Sequence, residues 1–278
     1  MLKGEYPVSR ICNVLIVNRR SYYKWVSIGK PIINNYDKEI AKIISVEHEN
    51  MKEVYGTLRL KHHIENKYPK VTINHKKIRR YKRALGLTVI VRKPKSLAAS
   101  RKEEKNLINK APYVIECNFK SDKPLEKLSS DVSYIKCTDG TLYLSAVKDC
   151  FNNEIVSFST SKNNDRKLII KSYKNLKGVN GSVINTDQGT VYFSYEYVKL
   201  AEKLGFERSM SHKGHCWENC PIENWFSQLK EEWLKPLGKI NKKRALQEIK
   251  KYIQWYNTER IQKKLGYLSP VQFKLQST

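Results

Sequence analysis

Acidic residues are scarce in this 278-residue chain: 27 Asp and Glu stand against 53 Lys and Arg, leaving a net charge of +26. Self-repulsion on that scale is relieved by a polyanion, so nucleic acid is the expected partner. Long apolar runs are missing as well. No stretch approaches the roughly 18 apolar residues of a membrane-spanning helix. The short run Ile11 to Val17 is interrupted by Asn13 and lacks a small-residue cleavage site, so no signal peptide is expected, and a membrane partner is disfavoured because the charge lies in helical, Tyr-rich segments rather than beside an apolar anchor. The six cysteines contain no CxxC pair and no regular spacing, which argues against a disulfide framework and for reduced thiols in a cytosol. A hydrophobic share of 40% and an aromatic share of 10% are too high for a basic disordered tail.

The shortage of acid is uneven. Residues 1–120 carry 27 basic and 10 acidic side chains, whereas residues 121–278 carry 26 and 17. Between Glu65 and Glu103 there is no acid at all, yet 13 basic residues fall there. A solvated helix face normally mixes signs, so a one-sign run is expected to lie on phosphates. Residues 1–33 read as a helix-turn-helix-like segment. Its first helix keeps Ile11, Val14 and Leu15 on an apolar face, and its second, capped by Asn18, carries Arg19 and Arg20 beside Tyr22, Tyr23 and Trp25. Residues 34–90 read as a basic helical DNA-binding domain. Its last helix, capped by Asn74 and ended by Gly86, turns Ile78, Tyr81 and Leu85 inward and offers Lys76, Lys77, Arg79, Arg80 and Arg83 to DNA. Residues 91–120 contain Pro94 and Pro112 with weak periodicity and read as a linker.

From about residue 121 the pattern changes. Asp131 to Ile135, Thr141 to Val147 and Glu154 to Ser159 are β-rich runs separated by turn residues. A helix, a short strand, a helix and another short strand follow. That order predicts an α/β core over 121–278, a ribonuclease-H-like mixed sheet with C-terminal helices, behind small all-α domains. Three acids stand at element edges: Asp131 at the start of the first strand, Asp187 at the end of Val-Ile-Asn-Thr-Asp-Gln-Gly, and Glu223 in the first turn of a helix announced by Asn219 and Pro221. Phosphoryl transfer on DNA wants two Mg²⁺ ions about 4 Å apart, and three carboxylates supply suitable oxygen ligands. On the Glu223 helix, Ile222, Trp225, Phe226, Leu229 and Trp233 form the buried stripe. Lys230 lies two turns beyond Glu223 on the same face and could hold a phosphate.

Four segments, taken together, carry a resemblance: Asp131-Val-Ser-Tyr-Ile, Asn185-Thr-Asp-Gln-Gly, Ser209 to Lys230, and Tyr252 to Arg260. In this order they resemble the transposases of insertion-sequence family three, whose core is of the integrase type with an Asp-Asp-Glu site. The gaps agree, with 56 positions from Asp131 to Asp187, 36 from Asp187 to Glu223 and seven from Glu223 to Lys230. The resemblance implies that Asp131, Asp187 and Glu223 ligate Mg²⁺ (or Mn²⁺ as a substitute) and that Lys230 contacts DNA. It implies cleavage at the terminal inverted repeats of an insertion sequence and joining of the 3′-hydroxyl to target DNA, without a covalent protein–DNA intermediate. It also implies a homo-oligomer on DNA, an upstream-frame helix-turn-helix and leucine-zipper protein as partner or fusion, and a bacterial, cytoplasmic, nucleoid-associated setting. The chain departs from the family pattern at Leu128, Asn185, Gln262 and Glu218-Asn-Cys-Pro, none of which removes a proposed ligand.

The alternative reading is a non-catalytic basic DNA-binding regulator or an inactive remnant, for which the front half would suffice. His212, His215, Cys216 and Cys220 are too cramped for the paired ligands of a zinc finger, so this stretch is expected to be a mobile loop without zinc. Trp225 and Trp255 are expected in the core, and Trp217 is the better candidate for stacking on a base.

Overall fold

The computed structural model describes residues 6–29, 38–90 and 109–277. The chain divides into two compact units, Met1–Val89 and Ile90–Thr278.

The first unit is helical: α1 (Val8–Val14), α2 (Arg19–Ser27), α3 (Lys38–Asn50), α4 (Thr57–Lys67) and α5 (His75–Ala84). The side chains of Asn18 and Asn74 accept the backbone N–H of Arg20 and Lys76, satisfying a donor that each helix start would otherwise leave unpaired. Helices α3 to α5 close around Ile44, Leu60, Ile64, Ile78 and Tyr81, all fully buried. The buried Glu47 carboxylate on α3 accepts from His63, Lys67 and Tyr68, fastening α3 to the end of α4. Two expectations need correcting. Val14 and Leu15 are 75% and 61% exposed rather than inward, because α1 is only two turns long and buries Cys12 alone. Leu85 is exposed because α5 ends one residue before it, and Lys82 takes the inner place, its ammonium directed at the Tyr55 carbonyl.

The second unit is a five-stranded sheet in the order β3-β2-β1-β4-β5, from β1 (Lys127–Cys137), β2 (Gly140–Asp149), β3 (Ile155–Ser161), β4 (Val183–Thr186) and β5 (Glu207–Met210). The hairpin-linked β1, β2 and β3 are antiparallel, and β4 and β5 add in parallel on the other side of β1. This is the mixed ribonuclease-H-like sheet, and the parallel half requires the crossovers supplied by α6 (Arg166–Lys174) and α7 (Tyr195–Leu204). Leu128, Val147, Ile169, Tyr173, Ile184 and Tyr197 belong to the core between sheet and crossover helices. Beyond β5 come α8 (Cys220–Gln228), a π-helical stretch Leu229–Leu234, α9 (Lys242–Thr258) and α10 (Pro270–Ser277). Of the segment read as a linker, residues 91–108 lie outside the described residues, while Ala111 and Ile115 are buried in this unit and Met210 donates its N–H to the Pro112 carbonyl. No helix among the described residues is long and apolar enough to cross a membrane.

Candidate active site

The register of β1 and β4 brings the first two acids together. Ser129 pairs with Asn185 in parallel at the end of their ladder, two residues before Asp131 on β1 and two before Asp187, which follows directly on the last residue of β4. Neighbouring strands lie about 4.8 Å apart. Asp131 therefore sits in the middle of an 11-residue strand and not at its start, because β1 begins four residues earlier than the alternation of the sequence shows. Its Oδ1 accepts the Val132 N–H at 2.6 Å, and Asp187 Oδ1 accepts the Gly189 N–H at 2.9 Å.

Glu223 enters from α8. Pro221 sits at the start of this helix, and Ile222, Trp225, Phe226, Leu229 and Trp233 are buried as the helical spacing predicts. Burial pushes the Asp131 carboxyl well above the ordinary carboxylate range, the Asp187 charge pushes it further, and Glu223 adds to both. The Val132 N–H and the Lys230 ammonium work in the opposite direction. Asp187 is raised as well, by burial, against the hydrogen bond from Gly189. Asp187, Glu223 and Lys230 are thus all near enough to act on Asp131. Asp187 and Glu223 also line one cavity of about 250 Å³ with Gln188, Ser211 and Asn219. Lys230 lies in the π-helical turn and not on a continuous α-helix, with its Nζ 4.8 Å from the centre of the Tyr134 ring on β1. A π turn changes the angular spacing between Glu223 and Lys230, and such turns recur at functional sites.

What holds α8 against the strands was not legible from the motifs. Asn219 does not cap α8 with its side chain. Instead its Oδ1 accepts from Ser129 Oγ at 2.7 Å and from Asn185 Nδ2 at 3.2 Å, and its Nδ2 donates to the Ser130 carbonyl at 3.0 Å. Asn185 is fully buried; it also donates to the Glu218 carbonyl and to Ser211, and accepts from Ser209. One polar knot therefore ties β1, β4, β5 and the start of α8 together one turn before Glu223. The only signal in the sequence was the run of small polar residues at inward strand positions, Ser129, Asn185 and Ser209. Asn219→Ala strips partners from Ser129, Asn185 and Ser130 inside the protein. It is expected to cost about 1–3 kcal/mol in chemical denaturation and to lower strand joining more than DNA binding.

The other residues singled out are placed as follows. Lys76, Arg79, Arg80 and Arg83 project from α5 with exposed side chains and Lys77 is half-buried, while Arg19 and Arg20 are exposed on α2. Arg80 and Lys77 lie over the Tyr81 ring at 5.3 and 5.8 Å. These basic residues belong to the first unit, Lys230 and the acids to the second. Trp225 and Trp255 are buried, and Trp217 is exposed. His212 and His215 converge on Glu218, whereas Cys220 lies at the start of α8; the Cys216 side chain is outside the described residues. The stretch read as a loop contains a 3₁₀ turn, Cys216–Asn219.

Comparison with known proteins agrees with this fold. Residues 121–216 and 204–270 match two families described as integrase core domain, and residues 35–95 match a family described as HTH-like domain. The chain is 32% identical to the putative transposase InsK for insertion sequence element IS150 of Escherichia coli (strain K12), over 99% of this chain and 96% of that protein. It is 28% identical to the insertion element IS600 uncharacterized 31 kDa protein of Shigella sonnei, over 95% of this chain and 97% of the other. It is 25% identical to the transposase InsF for insertion sequence IS3A of Escherichia coli (strain K12), over 98% and 95%. With an integrase core on a ribonuclease-H-like sheet and an HTH-like domain ahead of it, the chain belongs to the insertion-sequence family three transposases, polynucleotidyl transferases that move insertion sequences.

Proposed function

We propose that Asp131, Asp187 and Glu223 hold two Mg²⁺ ions, replaceable by Mn²⁺, and that with them the chain cleaves DNA at insertion-sequence ends and joins the freed 3′-hydroxyl to target DNA. The observation that supports this reading is the convergence of the acids: the β1–β4 ladder ends two residues before Asp131 and Asp187, Asp187 and Glu223 line one cavity, and the charges of both act on Asp131. The donor set suits the ions: carboxylate oxygens are the hard ligands Mg²⁺ prefers. The site is also short of positive charge, since its crowded carboxyls are pushed upward in their affinity for protons and Lys230 is the cation that counters them at Asp131. Thr186 Oγ1 and Gln188 Nε2, which flank Asp187, are buried without a protein partner and could meet metal-bound water.

When bound, the ions would supply an activated hydroxyl and a stabilised leaving oxygen. The chain's own residues do the rest. Strand β1 and the polar knot around Asn219 fix the three carboxylates, so little reorganisation is needed when DNA arrives. Lys230, held over Tyr134, is placed to meet a phosphate oxygen beside the acids. Lys76, Lys77, Arg79, Arg80 and Arg83 of the 34–90 domain, with Arg19 and Arg20 of the 1–33 segment, bind the DNA backbone and set its register. The family resemblance supports a working homo-oligomer on DNA, with an upstream-frame helix-turn-helix and leucine-zipper protein as partner or fusion.

The test is incubation of the full-length chain with duplex DNA carrying the element's own ends. The expected products are nicked ends with a free 3′-hydroxyl and joined strands, in Mg²⁺ or Mn²⁺ and not in chelator. Joining in chelator, or DNA left covalently attached to the protein, would overturn the reading. Binding should depend on α5 in a second measurable way. Arg79→Ala is expected to weaken binding by a similar factor on every DNA sequence and to reduce the slope of log affinity against log salt by about 1; an unchanged slope would remove Arg79 from the phosphate contacts.

A further inference from the structure

A second set of donor atoms lies in the segment between β5 and α8. His212 Nδ1 is 3.1 Å from each oxygen of the Glu218 carboxylate, and His215 Nδ1 is 3.0 Å from its Oε1. One ligand atom from each residue can be chosen so that all three lie within 4.8 Å of one another. Zinc with bonds near 2.0–2.1 Å in a tetrahedral site separates its ligand atoms by about 3.3 Å, so small side-chain shifts would seat an ion among them. The spacing His-x2-His-x2-Glu, too cramped for a finger, works because Cys216–Asn219 winds as a 3₁₀ turn, which stacks Glu218 directly over His215.

The donors are held in place before any ion arrives. The Glu218 side chain is 8% exposed, and its Oε2 accepts the His212 backbone N–H at 2.6 Å. The His212 ring meets Tyr113 edge-on at 5.4 Å, and the His215 ring stacks on Trp217 at 4.6 Å. Both imidazoles remain about half exposed, leaving room for a further ligand, and they line the same cavity as Asp187 and Glu223. Two imidazoles and one carboxylate form a softer set than three carboxylates, suited to zinc rather than magnesium.

We propose that His212, His215 and Glu218 form a zinc-type transition-metal site, separate from the three catalytic-site acids, that fastens the segment leading into α8. Glu218 is followed directly by Asn219, the centre of the polar knot, so an ion there would stiffen the link from β5 to the helix that carries Glu223. The cysteines take no part. A water or a DNA phosphate oxygen would complete the coordination.

The test is Co²⁺ titration of chelator-stripped full-length protein in excess Mg²⁺, followed by visible absorption, with Zn²⁺ used to displace the cobalt. One equivalent is expected, with four- or five-coordinate bands, no thiolate charge-transfer band, and a rise in Tm on adding Zn²⁺. His212→Asn and His215→Asn should each weaken binding at least tenfold and abolish the Tm rise. Both side chains are about half exposed, and circular dichroism will check that the variants fold. Asp131→Asn, Glu223→Gln and the Cys216→Ser/Cys220→Ser double variant should bind as wild type does. The proposal is overturned by no binding in excess Mg²⁺, by binding that survives the histidine variants, or by loss in the acid or cysteine variants. The first outcome would leave a His–Glu–His cluster that is hydrogen-bonded only.

Discussion

Arg260→Ala is expected to destabilise the transposase by about 3–5 kcal/mol, the usual cost of breaking a buried ion pair from one side. Arg260 is 2% exposed. Its guanidinium donates from Nη2 at 2.9 Å to both oxygens of Glu232 and from Nε at 3.2 Å to one of them, and it lies 5.7 Å from the Tyr256 ring. Burial favours loss of the charge, but Glu232 and the nearby Tyr252 and Tyr256 reverse this and hold the guanidinium firmly charged. Removing Arg260 leaves the Glu232 carboxylate, mostly enclosed, without its counter-ion. Arg260→Lys should recover little, because an ammonium cannot reproduce the two-pronged contact. Replacing Arg260 and Glu232 together by methionine should cost far less than Arg260→Ala alone. Denaturant unfolding of the four proteins measures this, and similar losses for the single and double variants would contradict it. The pair also has a functional side. Glu232 stands two residues after Lys230 in the π-helical turn, so Arg260 from the end of α9 anchors the segment that carries the lysine proposed to contact DNA.

Neutralising one of the proposed catalytic acids should reduce joining and stabilise the metal-free protein at once. Asp131→Asn keeps an oxygen for the Val132 N–H but loses a charged metal ligand. A loss of 10³-fold or more in joining corresponds to about 4 kcal/mol of transition-state stabilisation, within the several kcal/mol expected of metal chemistry. In chelator the same variant should melt higher than wild type, by about 2–4 °C per kcal/mol of repulsion relieved. The sign follows from the raised carboxyls of Asp131 and Asp187. The folded state holds their protons more tightly than the unfolded state. Metal-free stability therefore falls as pH rises from the ordinary carboxylate range through the raised values. Asp131→Asn should flatten that fall, and Mg²⁺ should raise the Tm of wild type more than that of the variant. Thermal melts across pH with and without Mg²⁺ check both. A variant that melts lower in chelator would show that the Asp131 charge is not under strain.

The sheet was legible because local signals sufficed. Alternation marked β1 to β3, and the 3.6-residue spacing of Ile222, Trp225, Phe226 and Leu229 marked the face on which α8 is buried. The resemblance then ordered three acids that spacing alone cannot bring together. Whatever depended on contacts distant in sequence stayed hidden. Asn219 looked like a helix cap because Asn favours that position, yet its side chain bonds to β1 and β4, some 90 and 34 residues away. Asn185, a departure from the family pattern, proves to be a fully bonded member of the same knot. Val14 and Leu15 had helical spacing, but a two-turn helix has too little surface to bury them. Glu218 meets His212 and His215 from a 3₁₀ turn that the sequence does not announce.

The most direct measurement is single-turnover strand joining by wild type, Asp131→Asn, Asp187→Asn and Glu223→Gln in Mg²⁺, with DNA affinity measured on the same preparations. All three variants are predicted to lose joining by 10³-fold or more while binding DNA within about threefold of wild type. Joining at the wild-type rate by any one of them would contradict a site built on all three acids.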